Sequence, residues 1–134
     1  MTGYSGKPLF EKLGIKSGAR VSVLHAPPGY RALLEPLPPG LVLNDRPGRS
    51  TDLVHLFAVE RESLAAELAG LRHTLRSDTP IWVSWPKKSA RVPTTITEDV
   101  IREVALPLGF VDIKVCAVSD NWSGLKLVVR KELR

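Results

Sequence analysis

His25 stands near the start of VLHAPPGYRALL, residues 23–34, where an apolar strand runs out into a turn. In open α/β sheets, ligands gather beyond the carboxyl ends of the strands. An imidazole at that place can act as acid, base or donor; its ordinary role is a hydrogen bond at the sheet end. The turn that follows is Ala26-Pro27-Pro28-Gly29, and Tyr30 opens the next element. A turn that holds a cofactor favours glycine, which permits positive φ and lets backbone amides approach a ligand. Proline fixes φ and has no N–H. Pro27 and Pro28 therefore delete two donors, and Gly29 alone remains of a glycine set. The expectation is a closed site.

A second constellation is SWPKK, residues 84–88. It follows a buried strand and should emerge at the same sheet edge. Trp85 there can stack on a planar group while Lys87 and Lys88 neutralise phosphate or carboxylate. The plainer alternative packs Trp85 in the core and leaves the lysines in a solvated loop. Asp45 follows the second strand, where a carboxylate can hold a ribose or cap a turn. His55 lies inside the apolar run DLVHLFAV and reads as a satisfied core side chain, and His73 reads as a helix-surface residue. Cys116 has no base positioned by the sequence, so it reads as a sheet thiol. No Ser-His-Asp arrangement or zinc spacing is evident.

The elements that must position these residues are short. KPLFEKL, residues 7–13, reads as a helix, and residues 19–26 as a β-branched strand. Residues 29–37 make a short helix stopped by prolines, and residues 41–44 a second strand. Residues 52–59 form a near-continuous apolar strand, as expected of burial on both faces. Leu64, Leu68, Leu71 and Leu75 recur at helical spacing over residues 61–76. IWVSW is the next strand. Thr95 and Glu98 have capping-box spacing for a helix to about residue 106. VDIKVCAV and LKLVVRK close the chain as a hairpin around SDNWSG. The order α-β-α-β-β-α-β-α-β-β predicts a single α/β domain over residues 1–134: a three-layer α-β-α open sheet, mostly parallel, with a C-terminal antiparallel hairpin. Residues 1–18 form an N-terminal segment in which Tyr4 and Lys7 either fold over the sheet edge or fray.

With 134 residues, 43% of them hydrophobic, the chain can bury a core. Its net charge of +5 admits phosphate-rich partners, yet the basic residues are scattered and no nucleic-acid motif accompanies them. The single cysteine excludes an internal disulfide. No apolar run reaches membrane-span length, and the start lacks a signal-peptide pattern. The expected location is cytoplasmic, and the oligomeric state is left open.

A parallel sheet closed by a hairpin resembles the Rossmann-like class I methyltransferases. DLVHLFAV resembles their strand beginning with Asp after the cofactor site, and EVALPLGFVDIKVCAV…GLKLVV their closing helix, "LGF" entry and hairpin. YSGKPLFEKLGIKSGARV, WVSWPKKSARVPTTITEDVIREVALPLGFVDIKVCAV and WSGLKLVVRKELR are similar to a small bacterial family, a domain of unknown function with no established activity. The resemblance implies a minimal methyltransferase-like fold. Combined with the prolines, it suggests a non-catalytic domain without cofactor, binding a small anionic ligand or a protein partner. His25, Gly29, Tyr30, Asp45, Trp85, Lys87 and Lys88 are its candidate ligands. The alternatives are an S-adenosylmethionine-dependent methyltransferase with an altered loop and a basic nucleic-acid binder.

Overall fold

The computed structural model describes residues 7–134, so the lid expected of Tyr4 lies outside the described residues. The elements are α1 (Leu9–Leu13), β1 (Arg20–Leu24), α2 (Tyr30–Leu34), β2 (Val42–Asn44), β3 (Leu53–Phe57), α3 (Arg61–Thr74), β4 (Ile81–Pro86), α4 (Glu98–Ala105), β5 (Phe110–Ala117) and β6 (Trp122–Val129). They form a six-stranded sheet in the order β2-β1-β3-β4-β6-β5. The first four strands pair in parallel, and β6 runs antiparallel to both β4 and β5. The expected α/β architecture and its closing hairpin are present.

Helices cover both faces, which is why β3 and β4 are buried at every position. On one face, Leu64, Leu68 and Leu71 of α3 and Ile101 and Val104 of α4 pack on Val54, Leu56, Ile81 and Val83. On the other, Leu13 of α1 and Tyr30 and Leu34 of α2 pack on Val21, Val23, Leu53, Phe57 and Trp82. The Trp82 indole N–H donates to Leu13 O at 2.8 Å, so its polar atom is satisfied inside the core.

Two local expectations need correction. Thr95 does not cap α4: its Oγ1 accepts the Arg61 amide at 2.7 Å, satisfying an orphan donor at the start of α3. Thr97 caps α4 instead, accepting from the Val100 amide at 3.2 Å. The hairpin turn is also tighter than SDNWSG. The amides of Val118 and Ser119 donate to Trp122 O at 2.9 and 3.2 Å, so β6 already begins at Trp122.

Candidate functional site at the carboxyl edge of the sheet

Strand order fixes where a ligand can enter. From β1 the chain crosses to β2 on one side, then returns past β1 to β3 on the other. The connections that leave the carboxyl ends of β1 and β3 therefore run to opposite sides, and such a switch point is the ordinary ligand crevice of an open α/β sheet. A cleft of about 280 Å³ lies there, lined by His25, Phe57, Ala58, Val59, Glu60, Ser63, Glu67 and Trp122. A wider one of about 520 Å³ adjoins β1 and β2, lined by Val23, Ala26, Gly29, Tyr30, Arg31, Leu43, Asn44 and Asp45. His25 and Ala26 are consecutive, so the β1 end borders both.

The turn after β1 is built by sterics. His25 has φ 59, a left-handed conformation uncommon for a side chain with a Cβ. Gly29 has φ 79, where glycine alone is unstrained. The Tyr30 amide donates to Pro27 O at 3.2 Å and closes the bend. Neither Pro27 nor Pro28 is among the residues lining the wider cleft. The prolines remove amide donors but do not fill the space.

Opposite this turn, Asn44 Oδ1 accepts from Ser22 Oγ at 2.7 Å and from the Arg46 amide at 3.0 Å. That side-chain turn fixes the loop after β2. Asp45 is at its exposed tip.

Beneath the turn, Tyr30 is 6% exposed. Its hydroxyl meets His55 Nδ1 at 2.7 Å, and His55 Nε2 meets Ser84 Oγ at 2.6 Å. Burial lowers the His55 pKa to about 3, so the ring is neutral, with one donor and one acceptor nitrogen for two hydroxyls. Burial also pushes the Tyr30 hydroxyl above its usual value. Tyr30 thus forms a cleft wall while its polar atom is engaged in the core, and His55 is the satisfied core residue expected.

The switch-point cleft carries a hydrogen-bonded pair. His25 Nε2 lies 2.5 Å from Glu67 Oε1 of α3, 42 residues away. Glu60, Ser63 and Glu67 escape the sequence reading. Their spacing of three and four makes a polar stripe beside the Leu64, Leu68 and Leu71 stripe, which was the available signal.

The structure gathers His25, Gly29, Tyr30 and Asp45 around the β1 turn, and it separates the other candidates from them. Trp85 is 9% exposed and packs in the α3–α4 core. The Lys87 amide donates to Asn121 O at 2.9 Å, and Lys88 is exposed. None of these three lines either cleft. Burial is the main cause that raises the Cys116 pKa, which disfavours a thiolate there.

Other features lie away from this edge. A cleft of about 330 Å³, lined by Gly14, Lys16, Gly18, Asp52 and Lys126 among others, opens at the amino ends of the strands. Several arginines are paired in the fold: Arg61 with Glu103, Arg76 with Asp52 and Asp78, and Arg102 with Glu98, Asp99 and Asp112. Among the described residues no cluster of His, Cys, Asp or Glu is suited to a metal. No helix among them is long and apolar enough to cross a membrane.

No family model and no curated protein matches the chain. Solved structures do. A SAM-dependent methyltransferase from Aquifex aeolicus superposes with a TM-score of 0.64 at 14% identity, over 90% of this chain and 88% of that one. A Sulfolobus solfataricus protein provisionally assigned as a type 11 methyltransferase gives 0.64 at 12% identity, over 92% and 90%. LepI, in complex with SAM, gives 0.57 at 12% identity over 91% of this chain, which spans 39% of it. At such identities the likeness concerns architecture, and on that level the result is plain: the chain has the class I methyltransferase fold.

Proposed function

We propose that the chain binds S-adenosylmethionine at the carboxyl edge of its sheet and serves as a small methyltransferase. The observation that carries this reading is the open cleft beside β1 and β2, with Gly29 and Asp45 on its walls and neither proline among its lining. Its volume falls within the roughly 300–1,000 Å³ of small-molecule clefts. A Cβ built on Gly29 would meet nothing within 4 Å, so the turn leaves room for a ligand to approach the backbone. Asp45 would accept hydrogen bonds from ribose hydroxyls. Arg31, on the first turn of α2, would bind the carboxylate of the amino-acid tail, substituting guanidinium donors for the amides that Pro27 and Pro28 lack. When bound, the donor supplies an electrophilic methyl group beside the β1 end.

The fold likeness favours this reading over a silent relative that binds only an anion or a protein. The argument for silence rests on the two amide donors that Pro27 and Pro28 delete, and Arg31, which lines the cleft as neither proline does, offers donors in their stead. Similarity to the small bacterial family rests on the quoted phrases and adds no chemistry.

Calorimetric titration with S-adenosylmethionine tests the proposal. Wild-type protein should bind, and Asp45→Ala should bind roughly tenfold more weakly, the usual loss for a charge-assisted hydrogen bond. Absence of binding by the wild type refutes the reading.

A further inference from the structure

The switch-point cleft has a chemistry of its own. Its apolar wall is Phe57, Ala58, Val59 and the half-buried Trp122, with Phe57 and Trp122 edge to face at 4.9 Å between ring centroids. Its polar wall is His25, Glu60, Ser63 and Glu67, with no lysine or arginine among the lining residues. Two carboxylates and no cation oppose an anionic guest. The aromatic wall favours a flat one.

His25 supplies the directional element. Its strained φ of 59 holds the imidazole at the β1 end, and α3 pins it there through Glu67 Oε1. Glu67 Oε2 is buried and accepts no hydrogen bond, so His25 is that carboxylate's hydrogen-bonding partner among the described residues. In the neutral ring, a carboxylate facing Nε2 selects the tautomer with its proton on Nε2 and leaves the Nδ1 lone pair as an acceptor.

We infer that this cleft binds a small aromatic hydroxyl compound, uncharged or cationic, whose ring lies against Trp122 and whose hydroxyl donates to His25 Nδ1. In the methyltransferase reading, on which only this role rests, that compound is the methyl acceptor. When its hydroxyl ionises, the proton passes to Nδ1 and the resulting imidazolium is held by the Glu67 carboxylate. The phenolate oxygen keeps the bonding pair.

The test is an NMR titration of the wild-type chain with catechol and, separately, with phenyl phosphate. Catechol should shift the His25 ring and Trp122 indole resonances, and phenyl phosphate should leave them in place. His25→Ala should weaken catechol binding roughly tenfold, and Glu67→Gln several-fold, with the remaining amide spectrum retained. Unmoved His25 and Trp122 resonances with catechol, equal binding of phenyl phosphate, or unchanged binding by His25→Ala would each overturn the inference. Repeating the titration with saturating S-adenosylhomocysteine separates the two proposals. Joint occupancy supports both, and displacement of catechol refutes the acceptor role. Catechol binding without any S-adenosylhomocysteine binding sinks the donor reading and leaves the cleft's ligand class intact.

Discussion

The Tyr30 hydroxyl meets His55 Nδ1 at 2.7 Å, joining the first turn of α2 to the middle of β3 across 25 residues. This buried bond fixes the helix that follows the proline turn, and with it the position of Gly29 and Arg31. Ser84 extends the link to β4. Local sequence made the turn, but a core histidine holds it.

Removing the hydroxyl should loosen that support. Tyr30→Phe keeps the ring and leaves His55 Nδ1 without a partner in the core. The expected cost is about 1–3 kcal/mol in a urea unfolding curve, the usual penalty for an orphaned buried polar atom.

Acid should destabilise the fold through the same histidine. Folded His55 stays neutral down to about pH 3, whereas the unfolded ring titrates near its ordinary value of 6.5. Between those values the unfolded state binds the extra proton. Its contribution is complete above pH 6.5 and is lost as pH falls, at about 1.4 kcal/mol per unit. The Arg20 amide chiefly lowers the Asp52 pKa, with Arg76 adding to the effect, so the stability Asp52 contributes is present above pH 3.8 and is lost only below it. Stability measured from pH 7 to 4.5 should therefore slope in the wild type and flatten in His55→Gln.

Gly124 has no room for a side chain. A Cβ there would lie 3.0 Å from Val118 Cγ2 and 3.2 Å from Trp82 Cε3. Gly124→Ala should cost about 1–3 kcal/mol by overpacking, read as a lowered melting temperature.

The fold was legible because its signals are periodic. The leucine stripe of α3 and the unbroken apolar run of β3 announce one-sided and two-sided burial, whatever their neighbours. The caps were less legible, since Thr95 serves a helix 34 residues earlier in the chain and leaves α4 to Thr97. Trp85 could not be assigned to core or edge without the partner on its face. The His25–Glu67 pair was invisible for the same reason: it depends on how α3 crosses the sheet. Pro27 and Pro28 show in the sequence which donors are missing, but which atoms line the neighbouring space depends on how the turn packs.

The most direct measurement is a backbone-amide NMR map recorded while S-adenosylmethionine is added. Perturbations centred on Gly29, Arg31 and Asp45, with Gly18 and Lys126 at the far edge unmoved, are the predicted result. A map centred on that far edge, or no perturbation at saturating donor, would contradict the account.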